Sequence, residues 1–509
     1  MPHRVPPCWK GRAVAECVRH RIPVAGRRTA AAPATCAQRH IWNLMRRQSP
    51  DATFYDVCYR VDLPGRGTAR NLLDVFAELL RRHESLRTGF RLSADGTLRQ
   101  QVVDAAEFEA EVWSLAGEED PEAVLHAWQE RMRHTPFEPA RPPLIRFVAV
   151  VVDGAPVRAA FCVSHLAVDL TSVRLLAAEI GRLLEALAAG HPLPPAAPAR
   201  QPVDQAEWES TPRGRALQTR AHAYWRRQLA GAPATLFPTG LFSASDEGRP
   251  PTPLPPARDV PDDRPAPPHY SAAMDSRAAA LALSTLARSW RVSTSAVLVT
   301  VVARLLGRRA GLPSCALRLL SANRSDPEVH ATVANLHSEV VATIDLTGDR
   351  IEDVARRAFA ACTAAYANGL YDPDEVADLI ASAHGPGVPV DTSYCFNDVR
   401  EGRALPGAVD GRGAVSGAEL RAAMAETVVA AAEFEEAETF FLVADDEEPG
   451  RLRLVLDADR RALTPSEVHD FLYAVERSLV EYAEGTEPRD AAGQGEGPAA
   501  AGRVAPPSR

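Results

Sequence analysis

The stretch from Gly231 to His269 limits what this chain can become more than any other. It is dense in proline, with the pairs Pro250-Pro251, Pro255-Pro256 and Pro267-Pro268. Proline fixes φ and offers no backbone N–H, so such a run sustains neither a helix interior nor a central strand. It is also too polar to pack alone, and it reads as a long connection draped over the surface or between lobes. The 509 residues must therefore build their cores on either side of it. A chain of that length favours two or three domain-sized units over one core.

Both sides show a mixed helix and strand pattern. Before the break, Asn71 to His83 has Leu72, Leu73, Val75, Phe76, Leu79 and Leu80 at helical spacing. Phe147–Val152 and Val157–Val163 are apolar, β-branched runs separated by Asp153-Gly154, a hairpin signal. Ser172 to Ala189 returns to helical period, with Thr171 or Ser172 as its expected cap and Gly190 as its stop. After the break, helices are expected around Arg277–Ser289, Ser295–Leu306 and Ser466–Tyr482. Strands are expected at Ala316–Leu320, Val340–Leu346 and Arg451–Leu456. The shared character suggests a duplicated fold. The expected division is a disordered leader over 1–33, a first lobe over 34–200 and a helix plus connection over 201–269. A second lobe over 270–484 and a disordered tail over 485–509 complete it.

Composition removes several functions. A formal net charge of −9 argues against a nucleic-acid partner, because phosphate binding needs a basic surface. No apolar run approaches the ~20 residues of a membrane span. The basic N-terminus is not followed by the hydrophobic block of a signal sequence. The eight cysteines lack metal or disulfide spacing, which suits reduced thiols in a cytoplasm. No bound cofactor and no metal are expected.

One short stretch carries chemistry. In Ser164-His165-Leu166-Ala167-Val168-Asp169-Leu170-Thr171, the histidine sits where a buried strand runs out before a helix. The strand fixes its Cα while the side chain faces a crevice. A carboxylate four residues on can accept N–H bonds at the helix start or hold a distant arginine. A bare His-x-x-x-Asp is a weak motif in a chain with 14 histidines. Cys162, Trp42, Trp208 and Trp225 read as packing residues, His83 and His337 as structural, and Asp445-Asp446-Glu447-Glu448 as a solvated hairpin loop.

The context is wider than that motif. Gln38-Arg39-His40-Ile41-Trp42, Arg82-His83-Glu84-Ser85-Leu86-Arg87-Thr88-Gly89-Phe90, Pro136-Phe137-Glu138 and Pro143-Leu144-Ile145-Arg146 follow in order before Ser164–Ser172. Tyr224-Trp225-Arg226-Arg227-Gln228-Leu229 and Ala322-Asn323-Arg324 come after it. Together, over roughly residues 34 to 484, they resemble the condensation domains of nonribosomal peptide synthetases. The resemblance implies an α/β (mixed α+β) fold of two chloramphenicol-acetyltransferase-like lobes arranged in a V, each a mixed sheet covered by helices. It makes His165 the reactive histidine of the family's His-His-x-x-x-Asp-Gly signature. Asp169 becomes the structural aspartate and Arg324 its salt-bridge partner from the other lobe.

Ser164 replaces the first histidine, Leu170 the glycine, and Ser338-Glu339 a later Asn-Thr block. If the glycine serves a positive φ, leucine there costs on the order of 1–2 kcal/mol; if it leaves room, leucine narrows the channel. The implied reaction joins an amine or alcohol to a carrier-bound acyl thioester. His165 would act as general base, and the N–H groups of Leu170 and Thr171 would meet the oxyanion. The implied partner is an acyl or peptidyl carrier protein that presents substrate on phosphopantetheine, with the enzyme a free-standing cytoplasmic monomer. A coenzyme A-dependent acyltransferase and an inactive scaffold for a loaded carrier are the alternatives.

Overall fold

The computed structural model describes residues 16–48, 55–63, 65–116, 120–236, 268–348, 350–383, 390–401, 415–432 and 438–486. The first lobe runs β1 (Glu16–Ala25), β2 (Ala30–Pro33), α1 (Cys36–Gln48), β3 (Asp56–Asp62), α2 (Ala69–Arg82), β4 (Thr88–Leu92) and β5 (Leu98–Val102). It continues with β6 (Ala105–Leu115), α3 (Pro121–Met132), β7 (Ile145–Val152), β8 (Ala155–Ser164) and α4 (Leu170–Ala188). Helices α5 (Pro202–Glu209) and α6 (Pro212–Gly231) lead across. The second lobe begins β9 (His269–Ser276), α7 (Arg277–Trp290), α8 (Thr294–Ala310), β10 (Ser314–Ser321), β11 (Ser338–Asp345), α9 (Ile351–Tyr366) and α10 (Pro373–Ser382). It ends β12 (Tyr394–Asp398), α11 (Gly417–Met424), β13 (Val428–Ala431), β14 (Phe440–Asp445), β15 (Leu452–Asp459) and α12 (Pro465–Ala483).

Each lobe is built on one mixed sheet, ordered β1-β6-β7-β8-β3 in the first and β11-β10-β12-β14-β15-β9-β13 in the second. A common motif lies inside both. In the first, β6 runs parallel to β7, and β8 pairs antiparallel with β7 and β3. In the second, β12 runs parallel to β14, and β15 pairs antiparallel with β14 and β9. The helix after each hairpin packs on the helix after the strand beside it, α4 on α2 and α12 on α7. A three-stranded sheet, β2-β5-β4, is added to the first lobe.

Local sequence explains the parts that position the site. Asp153 and Gly154 both take positive φ, 51° and 84°, as a two-residue hairpin turn requires, so β7 and β8 form a tight pair. Their inward residues meet α2 and α4, with Phe76 stacked on Phe147 at 4.1 Å between centroids. Burying such rings supplies the main driving force for this layer. The outer ends of the expected helices move by one to a few residues, and α4 is capped by Asp169 rather than Thr171 or Ser172.

Two expectations need correction. Residues 16–33 are not a disordered leader: β1 pairs antiparallel with β6 and β2 with β5. Strand β1 is largely exposed and tied by Arg21–Glu109 at 2.9 Å and Arg19–Glu111 at 3.6 Å, and only Ile22 and Val24 of its inner face reach the core, an apolar stripe too short to signal a strand. The acidic hairpin loop is not wholly solvated, since Asp446 is buried and accepts from Glu401 N–H at 2.8 Å. Residues 1–15, most of the proline-dense connection and the tail beyond 486 lie outside the described residues. No single helix among the described residues is long and apolar enough to cross a membrane.

Candidate functional site

The site begins where β8 ends. Leu166, Ala167 and Val168 sink into the first-lobe core, while His165 stays half-buried. Its backbone N–H donates to Tyr55 O at 2.8 Å, and Ala167 N–H to Ser164 O at 2.9 Å, which closes the turn. Ser164 is buried at the strand end, with its N–H on Leu144 O at 3.0 Å. The imidazole Nδ1 lies 2.7 Å from Val168 O. A carbonyl only accepts, so the proton sits on Nδ1 and Nε2 carries the lone pair. Burial pushes the His165 pKa below the usual histidine value, against the opposite pull of the Val168 carbonyl and Asp169.

Asp169 holds the turn from below. Its Oδ1 accepts Ser172 N–H at 2.8 Å, capping α4, and Arg324 Nη2 at 2.9 Å. Its Oδ2 accepts the same Nη2 at 2.9 Å and Leu336 N–H at 3.1 Å. Arg324 also donates to Ser172 Oγ at 2.9 Å and to the carbonyls of Val329 and Thr332, both at 2.7 Å. The structure thus joins Asp169 to Arg324 across 155 residues of sequence. Leu170 and Thr171 are the first two residues of α4. Leu170 does not share the positive φ found at Asp153, Arg291 and Asn323, so leucine in place of glycine brings no left-handed strain.

The second lobe contributes groups that the motif alone does not reveal. The His337 ring centroid is 5.7 Å from that of His165 and 6.1 Å from that of His40. Glu339 Oε2 lies 3.4 Å from His40 Nε2 and 3.3 Å from Arg318 Nη1. Arg318 also pairs with Glu438 and places Nε 3.1 Å from Cys395 Sγ. Burial works against the charge of Glu339, but Arg318 and His40 outweigh it and hold the carboxyl below its usual range. One signal for this cluster was present in the sequence. Glu339 and Arg318 each interrupt an apolar strand, and the register pairs Glu339 with Leu320, two residues from Arg318 on the same face.

Other flagged residues fall into structural settings. His83 Nε2 meets Glu179 at 2.7 Å beside an Arg82–Glu179 contact at 2.6 Å. Cys162 is buried opposite Cys58, and its thiol pKa is pushed up by the Cys58 hydrogen bond and by burial. Trp225 packs edge-on to Tyr371 and Trp208 lies under Arg200. Trp42 lies against the first-lobe core. Among the described residues, no group of three or more His, Cys, Asp or Glu is placed to hold a metal ion.

Comparison with known proteins agrees with this architecture. The chondramide synthase cmdD of Chondromyces crocatus is 27% identical over 321 residues, 62% of this chain. The chain spans only 8% of that synthase's length. The first condensation domain of the calcium-dependent antibiotic synthetase, solved with a substrate analogue, superimposes with a TM-score of 0.65 at 18% identity. That alignment covers 90% of this chain and 97% of the other. The starter condensation domain of rhizomide synthetase, solved as a mutant with C8-CoA, gives 0.65 at 18%, covering 90% and 96%. At such identity the solved structures show the fold, two chloramphenicol-acetyltransferase-like lobes. The family's own sequence model, named Condensation domain, matches residues 29–372, and the chain belongs to that family.

Proposed function

We propose that this chain is a condensing acyltransferase that joins an amine or alcohol acceptor to an acyl or aminoacyl group carried as a thioester on a carrier protein. Condensation domains form amide bonds in nonribosomal peptide synthesis. The observation that carries the reading is the His165 tautomer: with Nδ1–H committed to Val168 O, Nε2 is left as a base where the first lobe meets His337 of the second. The acceptor attacks the thioester carbon, its proton passes to Nε2, and the tetrahedral intermediate collapses with loss of thiolate, which recovers that proton. The N–H groups of Leu170 and Thr171, at the start of α4, are candidate donors to the oxyanion. Asp169 acts through position, because its oxygens are taken up by Ser172, Arg324 and Leu336.

How far the base matters depends on the acceptor. An α-amine of pKa ~8 is already about one-tenth neutral at pH 7, whereas a hydroxyl is not ionised there. The test mixes the chain with carrier protein charged with acyl groups from acetyl to dodecanoyl, over a panel of amines and alcohols. His165→Ala is expected to abolish ester formation and to leave measurable amide formation. Wild-type rates in the variant with both acceptor classes overturn the assignment. Because burial lowers the His165 pKa, the acid limb of kcat should lie below the usual histidine pKa of about 6.5.

A second reading has one observation behind it. The rhizomide starter domain was solved with C8-CoA, so an acyl-coenzyme A is the competing donor. Turnover of acyl-coenzyme A in place of acyl carrier protein decides for it.

A further inference from the structure

His337 stands apart from the other histidines of this region. His40, His83 and His165 face Glu339, Glu179 and Val168 O respectively. Both ring nitrogens of His337 are buried with no hydrogen-bond partner among the described residues. Buried polar groups are nearly always paired, and leaving one unpaired lowers stability, so an exception beside a reaction centre points to a ligand.

The chain delivers this ring to its place with care. Ser172 Oγ donates to Ala334 O at 2.7 Å and accepts Ala334 N–H at 3.0 Å. Leu336 N–H donates to Asp169 Oδ2 at 3.1 Å, and His337 N–H to Asn335 Oδ1 at 3.1 Å. One carboxylate therefore fixes both the residue before His337 and the turn that carries His165. The rings stand 5.7 Å apart and 43° from parallel. The nitrogens lie on the ring edges, so a group hydrogen-bonded to both rings would sit beside the line joining the two centres rather than on it.

We propose that His337 is a second catalytic imidazole, donating its ring N–H to the thioester carbonyl oxygen as that oxygen takes up charge. This rests on the condensing reading above. As the acceptor's C–N or C–O bond forms, the carbonyl π pair moves to oxygen and the acceptor proton to His165 Nε2. When the C–S bond breaks, the thiolate leaves with the proton from His165, and His337 keeps its own throughout. A neutral imidazole suits that role, having one donor nitrogen. Burial holds His337 neutral, with its pKa pushed down to about 3, against the opposite pull of Glu339. A donor that strengthens only in the transition state raises kcat rather than substrate binding.

The test uses the full chain and the charged carrier protein and acceptor that the wild type turns over fastest. His337→Leu should lower kcat about 100-fold, with KM for both substrates within about twofold. His337→Asn, which retains an N–H donor, should recover most of that loss. A His337→Leu kcat within twofold of wild type, or a loss confined to KM, overturns the proposal. An inactive wild type defeats the condensing reading and this proposal with it, whereas an active wild type with an unaffected leucine variant defeats this proposal alone. Should the leucine variant fail to fold, a crystal structure of the free wild-type chain decides. An ordered water within about 3.2 Å of a nitrogen of both rings supports the shared site; a His337 ring hydrogen-bonded to another protein group overturns it.

Discussion

The two lobes contain the same junction built for opposite ends. In each, a hairpin strand stops, a short turn follows, and a capped helix packs back: β8 into α4, and β15 into α12. In the second lobe the turn is closed within its own lobe, with Arg460 N–H on Pro268 O at 2.9 Å. Arg461 folds back onto Asp459, with both its N–H at 2.8 Å and its Nε at 3.0 Å from the carboxylate. Thr464 and Glu467 cap α12 reciprocally. In the first lobe the capping carboxylate instead takes Arg324 and Leu336 from the other half of the molecule. The histidine lies in the open junction and not in the closed one. A turn held within its own lobe needs nothing from the other; a turn that borrows its donors across the lobes can be aimed at a partner.

The same contrast extends to the neighbouring strand. His269, which opens β9, faces Asp459 in register and holds Asp457 at 3.1 Å. Asp56, which opens β3, faces Ser164, and its Oδ2 is buried with no hydrogen-bond partner among the described residues. Burial raises its pKa to about 7, with Arg146 pulling the other way.

The sharpest way to break the comparison is to remove the carboxylate of each turn separately. Asp169→Ala strands Arg324, whose side chain is 8% exposed, and should cost about 3–5 kcal/mol. Asp459→Ala breaks an ion pair whose arginine is 54% exposed and should cost about 1 kcal/mol. Urea midpoints measure both, and equal losses would show that the first junction is as self-contained as the second.

A smaller effect is expected from pH. The folded pKa of Asp56 lies above its unfolded value, so the folded state binds the proton more tightly. Its contribution is fully present below about pH 4 and is lost as pH rises through 7. Asp56→Asn should therefore be more stable than wild type by about 2–3 kcal/mol at pH 8 and nearly equal to it at pH 4. Denaturation at the two pH values checks this; parallel curves would place Asp56 in water.

The smallest change falls on the closed junction. Thr464→Ala removes a cap and should cost about 1 kcal/mol while acyl transfer is unaltered. A fall in kcat at fixed temperature would couple the second junction to the site.

Much of this organisation could be read from residue order. Apolar periodicity placed α2, β7, β8, α4 and α12, because each buries one face against its own lobe. Strand β1 was hidden because it is held mainly by main-chain pairing and ion pairs, and only Ile22 and Val24 of its apolar face reach the core. Strand β12 was hidden by its brevity, five residues held between β10 and β14. At the site, the Ser164–Ser172 stretch was visible as a block, since its residues are consecutive. The roles of His40, His337 and Glu339 were not, because they arise from the approach of β11 to α1 and the His165 turn, which periodicity does not encode. The tautomer of His165 likewise follows only from where Val168 O lies.

The double grip of Asp169 also has a consequence in time. During synthesis, the first lobe can complete its sheet and cap α4 while Arg324 and Leu336 have yet to be made. The turn holding His165 must wait for them, so its final shape is among the last local arrangements to be completed. Competence then becomes a property of the whole chain, withheld from a half-made one.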